Sequence, residues 1–293
     1  MNRYLSRREL FRFWSLVASS AALAPRPAAA ELPIGSPSVG YDAVVDGEVI
    51  EDRVFEGVAI GVRVWANHVT IRGCRMRRLI SDGENGSGVV VRHDTVGTRI
   101  IETEVDGRDS ISDGAGIALW NGSHAVEIVD SHIHHMQRVG ISVGSTTYVE
   151  FPTALPEQSE HYIARNVIEY CGTFGRSGDA GSGIVVVGQS HRHTIRDNRV
   201  RRNRGHGIVL SGSVMGNGAP GTPAFDESPT WNVVADNVVE YNGEEGIRNA
   251  GANYTWIRHN FCYANGGLPI HVVSLGGTSD SRGVDLTGNR EVY

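Results

Sequence analysis

The sequence has no lysine, and all 27 of its Lys and Arg residues are arginine. A reaction that needs a lysine as catalytic base is therefore excluded. Cysteine is scarce, with three residues in 293, which excludes the dense disulfide framework of a small secreted domain. An odd count allows one bridge at most, and we expect none, with Cys74 and Cys262 as small buried residues.

The sequence also lacks the apolar spacing of an amphipathic helix. Apolar residues instead alternate with a period of two, as in Val69-Thr70-Ile71 and Gly140-Ile141-Ser142-Val143. This alternation predicts short strands with one buried face. The apolar run at residues 13–24 is shorter than the roughly 20 residues that span a bilayer.

Residues 1–30 are predicted to be a signal peptide. Ser6-Arg7-Arg8-Glu9-Leu10-Phe11 is similar to a twin-arginine export motif, and Ala28-Ala29-Ala30 is a typical small-residue cleavage site. We therefore expect a periplasmic or secreted mature protein without a membrane anchor. Removal of these residues deletes five Arg and one Glu and shifts the formal net charge from −6 to −10. So acidic a chain lacks the basic surface that nucleic-acid binding requires.

A repeated unit organises the rest of the chain. In residues 193–210 it consists of Ile195, then Asn198, Val200, a variable turn and Gly207-Ile208. The position of Ile195 is occupied by Ile71, Ile100, Ile128, Ile163, Ile195, Val234, Ile257 and Leu286. The position of Asn198 is occupied by Cys74, Thr103, Ser131, Asn166, Asn198, Asn237, Asn260 and Asn289. Intervals of 23 to 39 residues between anchors indicate constant strands and variable turns, which is typical of a solenoid.

Stacked coils would explain why Asn recurs at one offset. Parallel strands of successive coils lie about 4.8 Å apart, so equivalent side chains become neighbours. An inward Asn such as Asn198 needs partners for its amide, and Asn166 and Asn237 would supply them from the coils on either side. The sequence therefore predicts a ladder of hydrogen-bonded amides.

These repeats resemble the right-handed parallel β-helices of the pectate-lyase-like superfamily, in the alginate-epimerase and NosD-like branch. The motifs that carry the resemblance, each followed by a Gly-Ile strand, are Ile163-Ala-Arg-Asn166-Val-Ile168, Ile195-Arg-Asp-Asn198-Arg-Val200 and Val234-Ala-Asp-Asn237-Val-Val239. The resemblance implies an all-β fold, a right-handed single-stranded parallel β-helix (solenoid) of about eight coils over residues 58–293. Residues 31–57 are expected to cover the first coil as an N-terminal capping segment. The Asp-Pro-His-Asp motif of alginate epimerases is absent.

In this superfamily the Gly-Ile strand usually forms the floor of the substrate groove, which implies a site on its outward face. The two longest loops, residues 144–160 and 212–230, leave this strand and would wall the groove. The candidate catalytic residues are His206, Arg248, Glu245, His135 and Arg138. The candidate substrate-binding residues are Arg92, Trp120, Asp179, Tyr148 and His271, and Tyr148 is also a candidate proton donor.

These residue types favour an enzyme that acts on an anionic polysaccharide. β-Elimination and C5 epimerisation of uronate units both need a base beside a carboxylate and a cation that tolerates the enolate-like charge, which His and Arg would supply. Glycoside hydrolysis by a carboxylate pair among Asp113, Asp179 and Glu245 is one alternative. A non-catalytic glycan-binding module is the other. The arginine-rich run at residues 196–204 is the main reason to prefer an anionic substrate to a neutral one.

No metal site is predicted with a defined ligand set. His132, His134 and His135 are close in sequence, but no cysteine or carboxylate triad completes a zinc site nearby. A calcium ion at Glu244 and Glu245, bridging to a uronate as in some lyases of the superfamily, is the one cofactor left open. The sequence leaves the oligomeric state open as well.

Overall fold

The computed structural model shows a solenoid of parallel β-sheets. The structure describes residues 38–80, 86–111, 114–120, 122–145, 157–173, 178–212, 228–274 and 281–292. The predicted signal peptide lies outside these residues and stays a prediction. Among the residues that the structure describes, no helical segment is long and apolar enough to cross a bilayer.

Each coil contributes one short strand to each of three sheets, which we name A, B and C. Sheet A contains β1 (Val39–Ala43), β4 (Ile60–Val64), β7 (Ser87–Val91), β10 (Ile117–Trp120), β13 (Ile141–Ser145), β17 (Ile184–Val187), β21 (Ile208–Ser211), β24 (Ile247–Ala250) and β27 (Ile270–Val273). Sheet B contains β2 (Val49–Glu51), β5 (Thr70–Arg72), β8 (Arg99–Ile101), β11 (Glu127–Val129), β15 (Tyr162–Ala164), β19 (Thr194–Arg196), β22 (Val233–Ala235) and β25 (Trp256–Arg258). Sheet C contains β3 (Val54–Glu56), β6 (Arg75–Arg77), β9 (Glu104–Asp106), β12 (His132–His134), β16 (Val167–Glu169), β20 (Arg199–Arg201), β23 (Val238–Glu240), β26 (Phe261–Tyr263) and β28 (Arg290–Val292).

Two smaller elements complete the described part of the chain. Strands β14 (Gln158–Ser159) and β18 (Ser190–His191) pair in a two-stranded sheet, and Gly178–Gly181 forms a turn of 3-10 helix. Two sheets of nine strands and one of eight, all parallel, confirm the predicted all-β solenoid and its approximate number of coils. The three cysteines are free and buried, as expected.

The repeat anchors form the centre of the core. Parallel pairing places one residue of every sheet B strand in a single column: Ile50, Ile71, Ile100, Ile128, Ile163, Ile195, Val234 and Ile257. Each of them is fully buried. Leu286 keeps the predicted register, because Asp285 pairs with Trp256, but it lies outside the strands and is 43% exposed. Ile50, from a coil that the sequence interpretation had left out, takes the first place in the column.

The predicted asparagine ladder is present and unbroken. Its members, in order, are Asn166, Asn198, Asn237, Asn260 and Asn289. Each Nδ2 donates to the Oδ1 of the next member at 2.9–3.1 Å, and each Oδ1 also accepts the backbone N–H of the member before it. The buried amides are thereby satisfied, which buried polar groups require. A second ladder, which the sequence interpretation missed, joins Asn203, Asn242 and Asn265 in the same way.

The glycine of the Gly-Ile motif is required by the closeness of the next coil. A Cβ on Gly207 would lie 2.3 Å from Cγ1 of Val239 and 2.5 Å from the carbonyl oxygen of Gly246. Both atoms belong to packed neighbours and cannot move away easily. The same type of contact recurs one coil earlier at Gly183.

The solenoid begins earlier than predicted. Strands β1, β2 and β3 fall within residues 31–57 and pair in register with β4, β5 and β6. Their inward residues Ala43, Ile50 and Phe55 belong to the main core. Residues 39–56 therefore form a coil of the solenoid and are not a cap over its first coil. The inward residues of their period-two alternation extend the hydrophobic core.

The outer face of sheet A differs from the open groove that was predicted. Val90, Ala118, Val185 and Val209 point outward but are at most 4% exposed, in a second hydrophobic cluster. The outward residues of β7, β10, β17 and β21 are thus apolar, as in parallel sheets that are covered on both sides, while Ser142 on β13 is polar and partly exposed. Beyond β21 the outer face becomes polar and partly exposed, and a site on this face would lie there.

Candidate functional site

Polar side chains meet at the amino-terminal ends of the last three strands of sheet A. His206 precedes β21 and Glu245 precedes β24, each separated from its strand by one glycine. The N–H of Gly207 donates to the carbonyl of Glu245 at 3.0 Å, which holds the two positions one strand spacing apart. Arg248 on β24 lies opposite His271 on β27 in the parallel register. The stacking of coils therefore brings together residues that are far apart in sequence.

His206 is the centre of this cluster, and its side chain is 1% exposed. Its Nδ1 lies 2.5 Å from Oε2 of Glu245, and its Nε2 lies 3.0 Å from Oε2 of Glu244 and 3.7 Å from Oδ1 of Asp179. Burial lowers the pKa of His206, although the three carboxylates act in the opposite direction. The net effect keeps this imidazole neutral over a wider range of pH than an exposed histidine.

Arg248 is the cation of the cluster. Its Nη1 lies 3.2 Å from Nε2 of His206, and its positive charge contributes to the lowered pKa of that imidazole. Its Nε is buried and has no hydrogen-bond partner among the described residues. A buried donor without a partner is costly, so this guanidinium is suited to bind a further acceptor.

Glu245 and His271 form a histidine–carboxylate pair at the exposed edge of the cluster. Nδ1 of His271 lies 3.0 Å from Oε1 of Glu245, and the His271 side chain is 37% exposed. Burial raises the pKa of Glu245, but the hydrogen bond from His271 and the nearby charges of His206 and Arg248 outweigh it and lower the pKa. Glu245 therefore stays ionised, and the Nε2 of His271 keeps a lone pair when its Nδ1–H is donated to this carboxylate.

The structure thus brings together five of the ten residues singled out from the sequence: His206, Arg248, Glu245, Asp179 and His271. Glu244, which the sequence considered only as a calcium ligand, contacts His206 directly. Tyr148 lies outside the described residues, as does most of each of the two long loops. Asp113, considered for hydrolysis, is not described either.

Arg92 and Trp120 are brought together elsewhere. The guanidinium of Arg92 lies 3.7 Å from the ring centre of Trp120 and 4.6 Å from that of Trp65. These residues lie at the carboxyl ends of β4, β7 and β10, whereas His206 and Glu245 lie at the amino ends of later strands. Because Arg92 is only 7% exposed and is sandwiched between two indoles, its predicted role as an open carboxylate ligand has no support from this geometry.

Of His135 and Arg138, only His135 leaves the line of His206 and Glu245. Arg138 precedes β13, two strands before β21 in sheet A. His135 follows β12 of sheet C and stacks on Tyr170 with ring centres 4.9 Å apart. The prediction relied on the position of His135 shortly before Gly140 in sequence. In the structure a turn separates the two residues, so that His135 lies next to sheet C and Gly140 next to sheet A.

The arginine-rich run is paired with acidic residues. Arg199 contacts Glu240 at 2.6 Å, and Arg201 contacts Glu169 at 2.8 Å. Arg196 pairs with Asp197 at 2.7 Å and also with Asp236. These contacts neutralise much of the predicted polyanion-binding patch, so the run no longer supports an anionic substrate.

A second cluster of histidines and carboxylates lies on the outer face of sheet C. His132 and His134 on β12 lie opposite Glu104 and Asp106 on β9. The sequence analysis identified the histidines but not these carboxylates, which come from the preceding coil. The signal was present, because Glu104-Val105-Asp106 alternates in the same phase as His132-Ile133-His134 one repeat later.

Comparison with known proteins identifies the family. The sequence pattern described as "Right handed beta helix region" matches residues 41–224, 115–261 and 182–290. The protein therefore belongs to the right-handed β-helix family, and the predicted handedness is confirmed. A search of curated protein sequences found no match.

The comparison with solved structures found several similar chains. The periplasmic alginate epimerase AlgG has a TM-score of 0.63 and 16% identity, over 84% of this chain and 50% of that chain. An alginate lyase from Paenibacillus sp. str. FPU-7 has a TM-score of 0.48 and 14% identity, over 82% and 76% of the two chains. The A-module of the mannuronan C-5 epimerase AlgE6 from Azotobacter vinelandii has a TM-score of 0.46 and 14% identity, over 87% and 78%. At 16% identity the likeness to AlgG shows the fold alone, and this chain spans half the length of AlgG.

Proposed function

We propose that this protein is an exported enzyme that modifies polysaccharides containing uronate units, as a lyase or a C5 epimerase. The observation that carries the proposal is the meeting of Arg248, His271 and Glu245 at the exposed end of sheet A. Both reactions begin with removal of the C5 proton beside the substrate carboxylate, so they need a cation and a base side by side. AlgG, which shares the fold, is named as an alginate epimerase and supports this class of substrate.

His271 is the proposed base. It is the more exposed of the two histidines, and Glu245 holds its Nδ1 at 3.0 Å, which leaves Nε2 to accept the proton. The ionised carboxylate also stabilises the imidazolium that forms, as in other histidine–carboxylate pairs. His206, at 1% exposure, is too deeply buried to reach a sugar, so it positions Glu245 and Arg248 instead.

Arg248 is the proposed ligand of the uronate carboxylate. A guanidinium presents parallel N–H donors that match the two oxygens of a carboxylate. Its charge would also stabilise the enolate-like intermediate that forms when the C5 proton leaves. The register that pairs Arg248 with His271 sets carboxylate binding and proton removal about 4.8 Å apart, which fits two neighbouring groups of one sugar.

The charge of the cluster argues for a cation during substrate binding. Asp179, Glu244 and Glu245 contribute three negative charges, and Arg248 contributes one positive charge. The net negative charge would repel an anionic substrate. Carboxylate oxygens are the ligands that Ca²⁺ prefers. We therefore include calcium, held by Glu244 with Asp179 or Glu245, in the proposal.

Glycoside hydrolysis is the second candidate, because the same three carboxylates are available. Hydrolysis needs one carboxyl group that is protonated near neutral pH and acts as the acid. The pKa of Glu245 is shifted in the wrong direction for that role. Proton abstraction by His271 is therefore the better match to this electrostatic environment.

The test is incubation of the mature protein in D₂O with polymannuronate, polyguluronate and polygalacturonate, each with Ca²⁺ or with a chelator. Deuterium at C5, observed by NMR, would identify an epimerase, because a solvent deuteron replaces the C5 proton that was removed. Ultraviolet absorbance from unsaturated chain ends would identify a lyase, whose product has a C4–C5 double bond and no hydrogen at C5. New reducing ends without either signal would identify a hydrolase and contradict the proposal.

Variants test the assigned roles. His271→Ala and Arg248→Ala should each lower kcat/KM by about 10²–10⁴-fold, the usual contribution of general base catalysis or of a lost charge contact. His259→Ala is the matched control, because His259 is an exposed histidine in a turn outside the cluster. Full activity of a folded His271→Ala variant would show that another group is the base.

A further inference from the structure

The cluster on the outer face of sheet C has the composition of a metal site. Because Val105 and Ile133 point into the core, the residues on either side of them share the outer face. His134 is nevertheless only 3% exposed, and His135 continues from the end of β12 with a positive φ of 55° that turns the chain.

Three possible ligand atoms converge in this cluster. Nδ1 of His134 lies 2.8 Å from Nδ1 of His135 and 3.5 Å from Oδ1 of Asp106. The other ring nitrogen of His134, Nε2, lies 3.3 Å from Oε1 of Glu104. If Nε2 carries the proton and donates it to Glu104, then Nδ1 of His134 presents a lone pair to the other two residues.

The spacing of these atoms fits a small divalent ion. Zn–N bonds are about 2.0–2.1 Å long, so two ligand atoms of a tetrahedral zinc site lie about 3.3 Å apart. The distance of 3.5 Å between His134 and Asp106 agrees with this value. The distance of 2.8 Å between the two Nδ1 atoms is shorter, and a rotation of the half-buried His135 ring would widen it.

We propose that Asp106, His134 and His135 bind a divalent transition-metal ion such as Zn²⁺, with Glu104 as the positioning residue of His134. Two imidazoles and one carboxylate form a ligand set that leaves further coordination positions open. A carboxylate that accepts the second N–H of a ligating histidine is the usual support of such a site. Arg108 supports Asp106 in the same way through hydrogen bonds of 2.7–3.0 Å.

Two further features agree with the proposal. Burial lowers the pKa of both His134 and His135, which favours the neutral imidazoles that bind metals. A cavity of about 510 Å³, lined by Asp106, His135, Arg77, Arg78 and Arg108 among others, reaches the cluster and supplies an entry path.

The competing explanation is an ordinary hydrogen bond between the two imidazoles, with Nδ1–H of His135 donated to Nδ1 of His134. That arrangement needs no ion and accounts for the distance of 2.8 Å. It gives Asp106 no role beyond its pairing with Arg108. The two explanations differ in whether removal of Asp106 or His135 changes metal binding.

The experiment is titration of the chelator-treated mature protein with Co²⁺, followed by visible absorption and by calorimetry. We expect one strongly bound ion per chain, with absorption typical of nitrogen and oxygen ligands. His135→Gln and Asp106→Asn should each weaken binding at least tenfold, and Glu104→Gln should weaken it about 10–100-fold. Glu245→Gln, in the cluster around His206, should leave this binding unchanged.

The outcomes separate this site from the proposed enzyme site. No Co²⁺ binding by the wild-type protein would overturn the proposal and favour the hydrogen-bonded pair of imidazoles. Binding that survives His135→Gln but is lost in Glu245→Gln would overturn it too, since the ion would then sit beside His206. Far-ultraviolet circular dichroism of each variant checks that the β-helix is intact, and the readout does not depend on any catalytic activity.

Discussion

Two buried histidines should make the stability of this protein depend steeply on pH. His161 and His193 occupy equivalent places in adjacent coils, with their rings parallel within 3° and their centres 4.6 Å apart. The N–H of Val126 donates to Nδ1 of His161, and the N–H of His161 donates to Nδ1 of His193, both at 3.1 Å. One coil further on, Asn232 has the same role, because its Oδ1 accepts the N–H of His193 at 2.9 Å. Asparagine is therefore a natural replacement at both histidine positions.

The size of the effect follows from the buried environment. Burial lowers the pKa of His161 to about 3 and that of His193 well below its ordinary value. In the unfolded chain both have a pKa near 6.5. Below that pH the unfolded state binds protons that the folded state does not, so the stability contributed by the neutral rings is full above pH 6.5 and falls with pH. Between about pH 8 and about pH 5.5, each histidine should lower the free energy of unfolding by about 1.4 kcal/mol, which makes about 3 kcal/mol for the pair.

Urea unfolding of the wild-type protein and of the His161→Asn/His193→Asn variant at these two pH values measures this difference. The wild type should lose about 3 kcal/mol more than the variant on acidification, because the other histidines contribute equally to both proteins and cancel. At pH 8 the variant should be nearly as stable as the wild type, since the amide oxygens keep the backbone hydrogen bonds. An equal loss in both proteins would show that the buried rings take up protons in the folded state and would refute the reasoning.

Two further predictions concern the coil architecture. Asn198→Ala should cost about 2–6 kcal/mol in the free energy of unfolding, because the N–H of Asn166 and the carbonyl of Ile163 each lose a buried partner at about 1–3 kcal/mol. Asn289→Ala, at the half-exposed end of the same ladder, should cost about 1 kcal/mol or less, and equal losses in urea unfolding would contradict the ladder argument. Gly207→Ala should lower stability by about 1–3 kcal/mol through overpacking against Val239, and an unchanged thermal midpoint would show that the coils can separate without cost.

The architecture was predictable because each coil repeats the same chemical requirement. An inward Asn at a bend needs a partner, and only its equivalent in the next coil can supply one, so Asn198 and Asn237 reveal the stacking. The second ladder, from Asn203 to Asn265, carried a similar signal, since each of its members follows a first-ladder member by five residues. The start of the solenoid was missed because the first coil has Arg53 at this position, whereas the coils assigned from the sequence have Cys, Thr, Ser or Asn. The period-two alternation of apolar residues around Ile50 was the only sequence feature that indicated this coil.

The candidate site was predictable only where the coil geometry determines it. His206, Glu245 and Arg248 converge because equivalent positions of stacked coils must be neighbours. Arg92 failed as a groove residue because period-two alternation gives the direction of a side chain but not what covers it. The outward valines of sheet A, such as Val185 and Val209, were a sign that this face is apolar and covered.

The histidines show how the next coil decides the chemistry of one residue type. Where the neighbouring coil presents a backbone N–H, as to His193, the imidazole accepts a hydrogen bond and becomes a structural element. Where the neighbouring coil presents a carboxylate, as Glu245 does to His271 and Asp106 to His134, the imidazole keeps a lone pair beside a negative charge. Proton transfer and metal binding both require that arrangement. In a parallel solenoid, the function of a side chain therefore depends on the residue at the equivalent position of the next coil. Substitution in the His–carboxylate pairs across coils should accordingly alter the chemistry while leaving the fold intact.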